Sequence, residues 1–269
     1  MTSHPTLTDQ DRVELIACAH AMADAARAVI LPLFRTLLKT DNKEEGGFDP
    51  VTEADRNAEQ AMRAVLAERR PHDAILGEEF GAQSGTSGLQ WVLDPIDGTR
   101  GFITGTPTWG VLISVRDGSG PLYGLIDQPY IGERFEGGFG RAQLTGPLGE
   151  RTLSTKATTL LADATILTTF PEVGTETDAA AFRRVATACK LTRYGMDCYG
   201  YALVAAGQAD LVIEAGLSAY DIQAPIAVVE AAGGIVTDWQ GGPVHEGGRV
   251  IAAANAALHT AALDLLNAS

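Results

Sequence analysis

The stretch WVLDPIDGT, Trp91 to Thr99, decides how this chain is read. An apolar run ends in two aspartates three residues apart, Asp94 and Asp97, followed by Gly98 and Thr99. Strand ends are where helix-covered sheets place their ligands. Pro95 sets its own φ and Gly98 reaches backbone angles closed to other residues, so both carboxylates and the Ile96 carbonyl can converge on a hard cation. If a helical turn follows, the N–H groups of Gly98 and Thr99 point at an anion. The same letters also spell an ordinary strand-to-turn passage, and the remaining acids decide between the two. GEE, Gly77 to Glu79, follows the strand-like AIL; Asp55 sits in TEAD at a helix start; Asp221 opens a helix after the strand-like LVIE. Acidic groups gathered at element ends build an oxygen-only metal site. A pair of divalent ions there would generate a hydroxide nucleophile, hold phosphoryl oxygens and neutralise a leaving alkoxide.

On either side of this stretch, helical and strand-like spacing alternate. Thr8 to Lys39 carries Val13, Ile16, Ala17, Met22 and Ala23 at helical intervals, with Thr8 and Asp11 as a cap and Pro32 as a bend or division. Asp41 to Pro50, DNKEEGGFDP, reads as a loop or mobile hairpin. Thr52 to Arg69 returns to helical spacing through Ala54, Ala58, Met62, Val65 and Leu66, with Thr52 to Asp55 as its acidic start. Strand-like runs AILG, WVLD, GVLISV and LYGLID follow, then ATILTT, a helix in DAAAFRRVATACK, ADLVIE, a helix from Asp221 to Ala232 and a last helix from Ala256 to Leu266. Such alternation predicts an α/β protein of packed layers, divided near the loop Leu144 to Thr152 into halves 1–148 and 149–269. The first half carries GEE and DPIDGT, and the second carries Asp221. The pairs Gly233–Gly234, Gly241–Gly242 and Gly247–Gly248 lack a dinucleotide-binding context and read as turns.

Composition bounds the partners. The 269 residues, 45% hydrophobic and 20% charged, are ample for a buried core. A formal charge of −14 argues against a nucleic-acid backbone as partner, since that contact needs a basic stripe. An acidic protein still holds a phosphate if bound cations invert the local field, so acidity and phosphate chemistry together point to metal. Cys18, Cys189 and Cys198 are odd in number and widely spaced, which fits reduced, packed thiols. His4, His20, His72, His245 and His259 are scattered, without metal-ligand spacing or a nucleophile to serve. MTSHPTLTDQDR lacks the basic and apolar segments of a leader, and no run reaches about 18 apolar residues, so the expected setting is cytoplasmic, away from membranes.

Taken together, GEE, DPIDGT and GQADLVIEAGLSAYD, ending on Asp221, resemble the inositol monophosphatase superfamily over nearly the whole chain. The resemblance implies a five-layer αβαβα sandwich, a homodimer, and a phosphomonoesterase that uses two to three Mg2+ ions and is inhibited by Li+. It implies that Glu78, Asp94 and the Ile96 carbonyl hold one metal, that Asp94, Asp97 and Asp221 hold a second, and that Glu78 and Glu79 feed a third, weaker one. It assigns Asp55 and Thr99 to orienting and deprotonating the attacking water, and Gly98 and Thr99 to the phosphate. Lys43 falls near the family's mobile-loop lysine.

The alcohol end sets the substrate. RYGMDCYGYAL, with Arg193, Gly195 and Asp197, and Glu214 correspond to the family's alcohol-binding wall, where the inositol enzymes have a small apolar residue in place of Asp197. A second carboxylate in an acidic pocket is costly unless a cation meets it, so the wall suggests an amino or imidazolium group. The other reading of Asp197 is a helix cap for Cys198 to Gly207. TRGFITGTPTWGVLISV and RYGMDCYGYAL also look like the histidinol-phosphate phosphatases of this superfamily, which implies L-histidinol phosphate, a step of histidine biosynthesis. The alternatives are an inositol or broad sugar-phosphate monophosphatase, a 3'(2'),5'-bisphosphate nucleotidase, and an inactive metal-binding relative. The last predicts loss of the Asp55 and Thr99 pair, and both residues are present.

Overall fold

Thr8, Thr52 and Thr175 each start a helix with a reciprocal cap, in which the threonine hydroxyl and an acid three residues on satisfy each other's backbone N–H groups. In this computed structural model, which describes residues 7–37, 41–42 and 50–268, those helices are α1 (Asp9–Ile30), α2 (Glu53–Arg69) and α4 (Glu176–Ala188). Lys43 lies outside the described residues. The first half also holds β1 (Asp41–Asn42), β2 (Pro50–Val51), β3 (Ala74–Gly77), β4 (Gly81–Gln83), β5 (Gln90–Asp97), α3 (Thr99–Thr104), β6 (Gly110–Asp117), β7 (Gly120–Gln128), β8 (Glu133–Gly138), β9 (Arg141–Gly146) and β10 (Gly149–Thr152). The second half adds β11 (Thr165–Leu167), β12 (Leu191–Arg193), α5 (Asp197–Ala205), β13 (Leu211–Ser218), α6 (Ala219–Ala231), β14 (Ile235–Asp238), β15 (Gly247–Ala253) and α7 (Ala256–Leu266).

Two sheets organise these elements. An eight-stranded sheet has the order β10-β9-β8-β7-β6-β5-β3-β4, and a five-stranded one β12-β11-β13-β15-β14. β3 runs parallel to β5, and β11 parallel to both β12 and β13, while the other neighbours are antiparallel. The outer face of the first sheet is covered by α1 and α2, whose buried stripes include Leu15, Ala19, Met22 and Ile30, and Ala58, Met62 and Leu66. α5 and α6 fill the space between the sheets, and α4 and α7 cover the outer face of the second. The αβαβα sandwich expected from the sequence is the fold.

α6 explains why the halves are inseparable at the site. It is apolar nearly all round, with Ile222, Ala224, Ile226, Val228 and Val229 buried, as a helix between two sheets must be. Gly124 and Gly137 let it lie directly on the first sheet: a Cβ there would meet α6 backbone or Cα atoms of Ala224 and Val228 at under 3 Å. That close seat brings Asp221, in the first turn of α6, to the end of β5.

Some local expectations are corrected. Pro32 ends the first helix in a turn instead of dividing it, because α1 stops at Ile30. Leu144 to Thr152 is not a loop but the β9–β10 hairpin, in which Leu144 pairs with Arg151, so the first sheet continues to Thr152. Gly247 and Gly248 open β15 opposite Ser218 and Leu217. Among the described residues, no helix is long and apolar enough to cross a membrane.

Candidate active site

Both strands that carry acids into the site are bulged where they do so. Asp94 pairs with Leu112 but Asp97 with Gly110, so β5 has one residue more than its neighbour across Pro95 and Ile96. β13 shows the same surplus between Glu214 and Leu217. On β5 the bulge is held by Asp94 itself, whose Oδ1 accepts the Ile96 N–H at 3.0 Å. Gly98 then takes φ 84°, and a Cβ there would lie 2.7 Å from Cγ of Asp197, so its glycine is required twice over. Asp221 is oriented by the Ser218 N–H, which donates to its Oδ2 at 2.6 Å. The result is a carboxylate oxygen from each of Asp94, Asp97 and Asp221, all within 4.8 Å of one another.

Such crowding is unfavourable for bare anions. Burial, then the charges of Glu78, Asp97 and Asp221, push the Asp94 carboxyl well above the usual carboxylate range. Burial, then Asp197 and Asp221, raise Asp97 likewise, against the hydrogen bond that the Cys198 N–H donates to its Oδ2 at 2.6 Å. A divalent cation reverses the sign of this repulsion, and an all-oxygen donor set suits a hard ion such as Mg2+. The residues therefore fit a metal site. Glu78 lines the same cleft, and its neighbour Glu79 does not, although the Glu79 backbone is anchored nearby. That anchor is Glu59, buried on the same stripe of α2 as Asp55, which accepts the Glu79 N–H at 2.7 Å and the Phe80 N–H at 3.3 Å and pairs with Arg63. An acid falling on the buried stripe of α2 was the sequence signal for Glu59.

Beside this cluster, Thr99 joins the cleft to a buried acid. Asp55 is 1% exposed, and its Oδ2 accepts the Thr52 N–H and hydroxyl at 2.9 and 2.6 Å. Its Oδ1 faces the Thr99 hydroxyl at 3.3 Å, which is also 3.2 Å from the Ile96 carbonyl. Thr99 lines the cleft and Asp55 does not, so Thr99 stands between Asp55 and the cleft.

The cleft, of about 360 Å3, continues past Gly98 to Asp197 and Glu214. Glu214 accepts from the Thr169 N–H, the Thr169 hydroxyl at 2.6 Å and the Tyr201 hydroxyl at 2.9 Å. Asp197 accepts from the Thr108 hydroxyl at 3.3 Å, while its own N–H donates to Thr169 Oγ1. Burial and then Glu214 push the Asp197 carboxyl up to about 6, opposed by Thr108 and Arg100. The helix-cap reading of Asp197 is set aside, because Met196 is the N-cap of α5 and no side chain caps it. Asp197 also holds φ 45°, a left-handed backbone that aspartate tolerates better than most residues. Arg193 and Gly195 do not join the group: both are exposed near the end of edge strand β12, outside the cleft lining, because that strand has a neighbour on one side only. Thr108 and Tyr201 lie in the stretches TRGFITGTPTWGVLISV and RYGMDCYGYAL and Thr169 ends ATILTT, but nothing in those stretches marks these residues as the ones that hold the two acids.

The model of the inositol monophosphatase family matches residues 11–269. The bifunctional phosphatase IMPL2, chloroplastic, of Arabidopsis thaliana is 40% identical over 271 residues, covering 97% of this chain and 77% of that protein. The histidinol-phosphatase of Streptomyces coelicolor is 35% identical, covering 96% of this chain and 98% of that protein. Among solved structures, an inositol monophosphatase from Zymomonas mobilis superposes with a TM-score of 0.85 at 38% identity, covering 97% of this chain and 100% of that one. With the family model matched over residues 11–269 and relatives of 35–40% identity along nearly the whole length, this chain belongs to the inositol monophosphatase family.

Proposed function

We propose that this chain hydrolyses L-histidinol phosphate to L-histidinol and phosphate. The observation that carries the reading is the pair Asp197 and Glu214 on the wall beyond Gly98, a second acidic group in a cleft already crowded with acid. Ionised carboxylates so placed gain most from a cationic partner that also hydrogen-bonds. An amine and an imidazole supply it, whereas inositol or a sugar supplies hydroxyls alone. The likeness to the Streptomyces coelicolor histidinol-phosphatase supports the same substrate.

Asp94, Asp97, Asp221, Glu78 and the Ile96 carbonyl are the groups that would hold Mg2+, with Glu79 beside them. Such ions, when bound, acidify water and neutralise charge on phosphoryl oxygens. The chain's own residues do the rest. The Gly98 and Thr99 N–H groups, at the start of α3, receive the phosphate. The Thr99 hydroxyl orients the attacking water and passes its proton towards Asp55, whose other oxygen is fixed by Thr52. Asp197 and Glu214 hold the alcohol. Phosphate release from histidinol phosphate, inositol 1-phosphate, fructose 1,6-bisphosphate and adenosine 3',5'-bisphosphate, each with Mg2+, tests the proposal. The expected result is the highest kcat/KM for histidinol phosphate; preference for inositol 1-phosphate would give the chain to that substrate instead.

A further inference from the structure

Phe170 follows β11 on the wall of the cleft, next to the Thr169 that grips Glu214. Phe170 is 44% exposed, an apolar residue left in water beside an acidic pocket. Its ring already carries a cation, since Cζ of Arg100 lies 4.9 Å from its centroid. Arg100 follows Thr99 in the first turn of α3, and its charge also acts on Asp197. In a cleft that Asp197 also lines, the face of that ring is held by the chain's own guanidinium.

We propose that Phe170 and Arg100 form the specificity element of the alcohol subsite: the Phe170 face receives the flat, cationic end of the alcohol, and Arg100 covers that face until substrate displaces it. The inference rests on the reading of the alcohol as a nitrogen cation given above. Guanidinium and imidazolium are both planar, delocalised cations, so a ring that stacks with one stacks with the other. Exchanging one cation for the other keeps a positive charge near Asp197. An alcohol bearing only hydroxyls has nothing to exchange for the stacked contact, so Arg100 stays and narrows the cleft against it.

The test compares kcat and KM for histidinol phosphate and for glycerol 2-phosphate, a neutral alcohol without a ring, in the parent enzyme with Mg2+, Phe170→Leu, Phe170→Tyr and Arg100→Met. The parent is measured first: if it does not prefer histidinol phosphate, the reading of the alcohol fails. Where it does, Phe170→Leu is expected to lower the ratio of the two kcat/KM values by roughly 3- to 20-fold, through KM for histidinol phosphate. Phe170→Tyr keeps the ring and retains the ratio. Arg100→Met is expected to lower KM for histidinol phosphate by a few-fold, as no cation is left to displace. An unchanged ratio in Phe170→Leu, or an equal loss in Phe170→Tyr, overturns the role of the ring. A rise in KM for both substrates in Arg100→Met overturns the role of Arg100 and makes it a phosphate ligand.

Discussion

Thr99 links the covered Asp55 carboxylate to the cleft, while the other oxygen of Asp55 is held by Thr52. Removing either partner should therefore act on turnover and spare the metal cluster. Thr99→Ala and Asp55→Asn are each expected to lower kcat by ~100-fold or more, with the rise in Tm caused by Mg2+ retained. Thr99→Ala turning over like the parent would sink the assignment. Asp197 calls for a different substitution. Alanine at φ 45° adds backbone strain, whereas asparagine keeps the left-handed conformation and removes only the charge. Asp197→Asn should weaken binding of histidinol phosphate by about 1–3 kcal/mol, read as KM, and lower its kcat/KM relative to glycerol 2-phosphate. Equal losses on both substrates would make Asp197 a structural residue.

At the scale of elements, the site is made by irregularities at ordered strand ends. The bulge in β5 turns Asp94 and Asp97 to one side, and Gly98 then allows the chain to start α3 against Asp197. Gly98→Ala must adopt an unfavourable φ and push Asp197 aside, so a loss of ~1–3 kcal/mol in stability is expected, with activity lost as well. A Gly98→Ala enzyme with parental Tm and kcat would refute this. The loop after β3 depends on Glu59 in the same way. Glu59→Ala leaves the Glu79 and Phe80 N–H groups without their acceptor, at a cost of roughly 1–3 kcal/mol. Its activity should need more Mg2+ and recover when Mg2+ is raised. A parental Mg2+ midpoint would mean that the loop holds Glu78 without Glu59.

Over the whole molecule, two groups of acids respond to pH with opposite sign. Asp94 and Asp97 are raised in the folded state, so without metal the folded chain holds protons that the unfolded chain has released above about pH 4. Metal-free stability therefore falls as pH climbs through that window. Glu136 is the reverse: against its burial, hydrogen bonds from His20, Arg141 and Tyr123 hold it down to about 2. Its contribution is present above about pH 4.5 and is lost as pH falls towards 2. Since Mg2+ competes with protons for Asp94 and Asp97, the Tm increase it produces should be larger at pH 8 than at pH 5. Equal increases at both would count against metal binding at these acids, as would full phosphatase activity after exhaustive treatment with EDTA.

The sequence alone determined the layered fold, because periodicity and caps are local: Thr8 and Thr52 start their helices whatever lies opposite, whereas the strand-to-turn passage read after WVLD is a bulge within β5, which runs on to Asp97 against β6. It also named Asp94, Asp97 and Asp221, since acids at element ends stand out against apolar runs. The short edge strands β4, β10 and β12 were not legible, having three or four residues each and little alternation to register, and β8, β9 and β15, rich in glycine or charge, and the short β14 were not read as strands either. Only the tertiary structure decided which side chains hold the acids. Glu59, Thr108, Thr169 and Tyr201 act across long sequence separations, which no local pattern records. It alone separated Asp197 from Arg193 and Gly195, neighbours in one motif, because the turn into α5 points one into the cleft and leaves the others on an exposed edge. The pairing of Arg100 with Phe170, 70 positions apart, exists only once β11 and α3 face each other across the cleft.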